Sequence, residues 1–237
     1  MPPSLPETKP LPPFVLGFGA HPTTQEYILV FVVYEKADLE LGKFPSNVEL
    51  YTQGPGSWRS IATVGHPHRI AHFNCLEQAF VNGAIHWIAY NRRVVNGQSS
   101  LIILFNMGSQ AFSVMMMPAA LVSQSLLCLA IMSYGESVAV LCCGQPEEGS
   151  CCIWVMKGYG VAESWAKLYY NINPPGKLYQ IVRFRKSGEV LLSMSGNHKQ
   201  LLCYDCETIT LTNTGYTWSS DVFTADTFME SLVLVKP

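Results

Sequence analysis

A chain of 237 residues, 49% hydrophobic and 14% charged, is long enough to bury one large core. Its charged fraction is well below the ~25% of ordinary soluble domains, which suits many strands and few solvated helices. A net charge of -2 with scattered basic residues excludes an electrostatic footprint for nucleic acid, and the Pro-rich residues 1–13 lack the apolar core of a secretory signal.

In chain order, Gly17-Phe18-Gly19 and Tyr27 to Val33 flank the turn His21-Pro22-Thr23-Thr24 and predict a first hairpin. Residues 35–44 read as a polar loop. Val48-Glu49-Leu50-Tyr51 is an apolar run that ends in an aromatic, passes a turn and reaches Trp58. Ala79 to Trp87 is a hairpin with Asn82-Gly83 at its tip, a pair that tolerates the positive φ angles of a type I′ turn. The run-and-anchor pattern returns in Ile102 to Phe105 with Phe112. Next come the hairpin Ala130 to Val140 and the run Cys152-Ile153-Trp154 with Trp165. The hairpin Arg185 to Leu192, the run Leu201 to Tyr204 with Leu211, and a last strand pair at Val222-Phe223 and Ser231 to Val235 close the series.

Residues 94–135 contain no Asp, Glu, Lys or Arg. Pro118, Gly108-Ser109-Gln110 and Ser123-Gln124-Ser125 interrupt them, so no run approaches the ~20 apolar residues of a spanning helix. They read as buried strands, and no membrane partner is expected.

The aromatics Tyr51, Phe105, Trp154 and Tyr204 recur about every 50 residues, each after a hairpin. Hairpin plus run makes four antiparallel strands, the content of one blade. The repeats fall near residues 14–64, 73–118, 126–172 and 178–216. The predicted fold is therefore all-β, with kelch-like, propeller-type blades. It is expected to be incomplete at the N-terminus, where residues 1–13 read as the remnant of a preceding blade before a domain spanning 14–237.

Five stretches resemble the F-box-associated domain of plant F-box proteins, the S-locus F-box type among them. They are Gly17 to Tyr27; Val48 to Tyr51 with Ser57-Trp58-Arg59; Val81 to Trp87; Ile153 to Lys157 with Tyr159-Gly160-Val161 and Glu163-Ser164-Trp165; and Phe228 to Val233. They occur in the family's order and span nearly the whole chain. The resemblance implies a non-enzymatic protein-interaction domain that recruits a target protein to an SCF ubiquitin ligase inside the cell. Departures are visible too. His21 stands where the family has aspartate, and Cys206 stands where proline is usual. No stretch resembles the F-box, the helical module that docks on a Skp-type adaptor, so adaptor binding is expected only of a longer form. Two alternatives stay open: a propeller that binds a small molecule or glycan or acts as an enzyme, and a truncated product without function. Loss of a first blade would leave unpaired edges, and poor solubility of the isolated chain is expected.

Eight cysteines in a chain without a signal peptide read as reduced thiols. Cys203-x-x-Cys206 has ligand spacing, and Cys142-Cys143 and Cys151-Cys152 are adjacent pairs across a predicted hairpin. Neighbours on a strand face opposite ways, so each pair offers one thiolate per side, and zinc needs four convergent ligands. Small buried hydrophobes are the simpler reading. His66, His68 and His72 read as a loop around Pro67, and His86 as a strand residue with a hydrogen-bond partner. Ser193, Ser195 and His198 have the residue types of a nucleophile and its base, but sit in a turn after a strand rather than a nucleophile elbow. No catalytic residue, cofactor or metal ligand is assigned. Trp58, Trp87, Trp154 and Trp165 keep register with the repeat and read as blade packing; Trp218 falls outside it and is the candidate exposed contact. Target binding is expected on loops 35–47, 89–99, 145–150 and 171–177, with no single residue assigned.

Overall fold

In the computed structural model, the described residues are 14–34, 47–61, 69–70, 78–91, 99–143, 151–168, 178–184, 189–194, 199–205 and 207–219. They form four antiparallel sheets. The first joins β1 (Phe14–Ala20), β2 (Tyr27–Val33), β3 (Asn47–Thr52) and β4 (Ser57–Ile61) in chain order. The second holds β5 (Arg69–Ile70), β6 (Ala79–Val81), β7 (Ala84–Asn91), β8 (Ser99–Asn106) and β9 (Ala111–Met115). The third joins β10 (Leu129–Tyr134), β11 (Ser137–Cys143), β12 (Cys151–Met156) and β13 (Trp165–Leu168). The fourth joins β14 (Leu178–Phe184), β15 (Val190–Met194), β16 (Lys199–Asp205) and β17 (Thr210–Trp218). The all-β, blade-type reading therefore holds. Each sheet falls within one of the four predicted repeats, except that β5 lies ahead of the second repeat and β17 runs on to Trp218.

The predicted hairpins have local causes. Asn82 and Gly83 take φ 50° and 67°, so the tip between β6 and β7 turns with positive φ at both residues. Such a turn matches the twist of paired strands. At the β10–β11 tip, Tyr134 pairs with Ser137 around Gly135 at φ 58°. Phe184 pairs with Val190, as the hairpin at 185–192 requires, although residues 185–188 lie outside the described residues. So do 1–13, the polar loop at 35–44 and the last strand pair at 222–235.

The second sheet departs from simple blade arithmetic. Its first strand is split: β5 pairs with Ala89 and Tyr90 of β7, while β6 pairs with Ala84 to His86 of the same strand. Residues 71–78 interrupt the sequence, yet one long strand, β7, serves both pieces.

The chain divides into two compact units. In the larger, the second sheet is buried on both faces. One face carries Ile85, Trp87, Ile103 and Phe105, which form a core with Val30 and Leu50 of the first sheet. The other carries Ile88 and Ile102, which form a second core with Ile131, Val138, Val140 and Met156 of the third sheet. This two-sided burial explains the continuous apolar run of β7 and much of the charge-free stretch 94–135. Each large side chain buried this way contributes roughly 1.5–3 kcal/mol. In the smaller unit, Val190 and Leu192 of β15 and Leu201 and Tyr204 of β16 are buried.

Candidate interaction surface

Side chains pin neighbouring sheets of the larger unit together. Trp87 is 1% exposed, and its indole N–H donates to the Leu16 carbonyl at 3.1 Å. Its ring fills the space over Gly17, where a Cβ would collide with it. Trp165 donates from its indole to the Met116 carbonyl at 3.0 Å. Trp58 is half-buried, with its ring 5.4 Å from that of Tyr51 and 6.3 Å from that of Phe31. Trp154 packs against the second core. Trp218, at the end of β17, is half-buried rather than fully exposed.

His86 has no exposed surface and lies between two sheets. Its Nδ1–H donates to the Ala79 carbonyl at 3.1 Å, which leaves Nε2 to accept from the Tyr159 hydroxyl at 2.9 Å. Burial lowers its pKa from 6.5 to about 4, against the opposing effect of the Ala79 and Ala84 backbone groups. Burial also raises the Tyr159 hydroxyl. The pair is a neutral structural joint.

Turns in the first, second and fourth sheets share a device. Asn106 Oδ1 accepts from the backbone N–H groups of Gly108 and Ser109 at 3.0 and 2.9 Å. Asp205 Oδ1 does the same for Glu207 and Thr208 at 2.8 and 3.2 Å, and these bonds lower its pKa. At the first hairpin, His21 Nδ1 takes the same role, accepting from Thr23 and Thr24 at 3.2 Å each. The imidazole thus replaces the carboxylate that the sequence motif leads one to expect there. Replacing His21 by alanine is expected to cost about 1 kcal/mol, and His21→Asp to restore it, measured as urea midpoints.

The turn that ends in Ile209 is strained. Ile209 sits at φ 56°, where the matching turns carry Gly56 at 60° and Gln110 at 53°. A β-branched residue there is an outlier, and Ile209 is also 68% exposed. Tyr216 on β17 is 69% exposed, beside a bulge where the pairing slips between Gln200 and Leu202. On the larger unit, Phe18, Met116 and Val161 are exposed. Sequence patterning missed all of these, because a hydrophobic letter does not say whether another segment covers it.

Gln78 was missed as well. Its side-chain amide accepts from Phe18 N–H at 2.7 Å and donates to Phe18 O at 2.8 Å. With Trp87 on Leu16, it blocks the open edge of β1, where another strand could otherwise pair.

The four expected binding loops leave the same end of their own sheets. The expected loop at 89–99 is shorter, because Ala89 to Asn91 and Ser99 pair within β7 and β8, and Asn47 likewise pairs with Val33. The connections are residues 35–46 between β2 and β3, 92–98 between β7 and β8, 144–150 between β11 and β12, and 169–177 between β13 and β14. These connecting residues lie outside the described ones, as do His66, His68, His72, Ser195, His198 and Cys206. Ser193 is buried and, among the described residues, its hydroxyl has no hydrogen-bond partner. Cys203 is buried and Cys142 is paired in register with Cys152, which puts the two cysteine pairs on neighbouring strands as the sequence suggested. Among the described residues, no three His, Cys, Asp or Glu side chains are arranged to hold a metal ion, and no helix is long and apolar enough to cross a membrane.

Three curated proteins are similar to this chain in sequence. F-box protein CPR1 of Arabidopsis thaliana is 22% identical over 233 residues, covering 92% of this chain and 55% of that protein. F-box protein At4g22390 of the same plant is 25% identical over 232 residues, covering 92% and 56%. F-box protein At3g07870, also of Arabidopsis thaliana, is 25% identical over 236 residues, covering 81% and 52%. The chain thus spans about half the length of these curated relatives. Among solved structures, a hypothetical protein from Leishmania major is similar at TM-score 0.41 and 12% identity, covering 84% of this chain and 66% of that one. The F-box associated beta propeller domain matches residues 4–229, and the chain belongs to that family.

Proposed function

We propose that this chain is the target-capturing part of an SCF-type ubiquitin ligase, acting inside the cell as a binding module and not as a catalyst. The observation that carries this reading is the family match over residues 4–229, with relatives named as F-box proteins. Paired strands anchor both ends of each connection, the arrangement in which loops carry recognition. A buried neutral histidine and a sealed serine supply no acid, base or nucleophile. The target is a protein; contact with a Skp-type adaptor belongs to an F-box in a longer form.

The test compares residues 1–237 alone with the same residues fused behind an F-box. The fusion is expected to co-precipitate the adaptor and to shorten the half-life of proteins that both forms retain, read by quantitative mass spectrometry after blocking synthesis. The chain alone is expected to retain the same proteins without the adaptor. Direct adaptor binding by residues 1–237, or unchanged half-lives with the fusion, would overturn the reading.

A further inference from the structure

Three half-buried thiols gather where β10, β11 and β12 meet. Cys142 on β11 stands directly opposite Cys152 on β12 in the antiparallel register. Cys128 closes the 3-10 turn Leu126–Cys128, and the next residue, Leu129, pairs with Cys142. All three are free and partly accessible. Antiparallel register alone sets the Cα atoms of Cys142 and Cys152 about 4.5–5.5 Å apart. That is inside the ~4.4–6.8 Å that a disulfide spans, so no backbone movement is needed to join them. The two thiols already interact by a hydrogen bond, and Cys128 is close enough to act electrostatically on Cys142.

We propose that Cys142 and Cys152 form a reversible disulfide on meeting a small-molecule disulfide such as oxidised glutathione. Burial first, then the neighbouring thiols, push the Cys142 thiol up to about 11, so it is mostly protonated at neutral pH. The two thiols face each other, so either can attack first and the steps are the same for each, beginning here with Cys152. Its thiolate bonds to one sulfur of glutathione disulfide, the S–S bond breaks, and one glutathione leaves as a thiolate that takes up a proton. Cys142 then loses its proton and attacks the Cys152 sulfur of this mixed disulfide. The second glutathione leaves, so the two protein thiols are oxidised by two electrons and one glutathione disulfide is reduced to two glutathiones. Register favours the second step, because the resolving sulfur is directly opposite.

The bond would staple the base of the connection between β11 and β12, one of the segments expected to bind the target. This role is independent of the ubiquitin-ligase reading, since it rests on the thiols alone.

The test incubates residues 1–237 with oxidised glutathione, blocks free thiols and maps the products after cleavage at glutamate. Cleavage at Glu136, Glu147 and Glu148 separates Cys128, Cys142 and Cys152 onto three different peptides. The expected result is a 137–147 peptide linked to a 149–163 peptide, released by reduced glutathione. The link should persist in Cys128→Ser and in a Cys143→Ser/Cys151→Ser double variant, and be lost in Cys152→Ser. A link that involves Cys128, a link that requires Cys143 or Cys151, a product that stops at one glutathione adduct, or thiols that all stay free would each overturn the proposal. Tryptophan emission of each variant before oxidation confirms that the same fold is being compared.

Discussion

Replacing Trp87 by alanine is expected to destabilise the chain by about 3–5 kcal/mol, enough to remove most of the stability of a domain that starts with ~5–15 kcal/mol. The indole is fully buried between the first two sheets, in one core with Val30, Leu50 and Phe105. Its removal leaves a cavity that β-sheet backbones on both sides cannot close. It also strands the Leu16 carbonyl, which now accepts from the indole. Trp87→Phe keeps much of the apolar area and loses the hydrogen bond, so it is expected to cost less than alanine. Gly17→Val attacks the same contact from the other side, because its side chain would occupy the volume of the Trp87 ring. Chemical unfolding checks all three. A Trp87→Ala midpoint within error of the parent would show that the two sheets are not locked through this ring.

Acid should unfold the chain through His86. In the unfolded chain the imidazole titrates near 6.5, and in the folded chain near 4. The folded state therefore disfavours the proton. The joint contributes its full stability above pH 6.5, and that contribution falls as the pH drops from 6.5 towards 4. The total loss is about 3 kcal/mol by linkage. His86→Gln can still donate to Ala79 and accept from Tyr159, but cannot titrate. It is expected to flatten the stability profile between pH 6.5 and 4 while leaving stability at pH 8 nearly unchanged. A variant whose profile still falls like the parent's would place the acid sensitivity elsewhere.

Much of this architecture was legible in the residues. Asn82-Gly83 demanded a hairpin, and the spacing of Tyr51, Phe105, Trp154 and Tyr204 marked the same strand in four sheets. The break in the second sheet was not legible, because β5 is only two residues long and pairs with a strand that β6 also uses. Nor was the role of His21. A histidine in an aspartate's place looks like a lost turn, yet a neutral imidazole nitrogen accepts the same backbone N–H groups.

The candidate surface divides the same way. Loop lengths and their order along the chain indicated where recognition belongs, since connections between strands are fixed by chain order. Which apolar residues remain uncovered was beyond reach: their letters do not separate Phe18, Ile209 and Tyr216 from the apolar residues that are buried elsewhere.

The sequence by itself determined the strand content, the four repeats and the family, because periodicity, turn chemistry and motif order are local or linear properties. The tertiary structure alone decided that the second sheet is buried on both faces and that His86 is held neutral between Ala79 and Tyr159. Each of these depends on which side chains from distant segments exclude water together, and desolvation is a property of that assembly rather than of any segment in it.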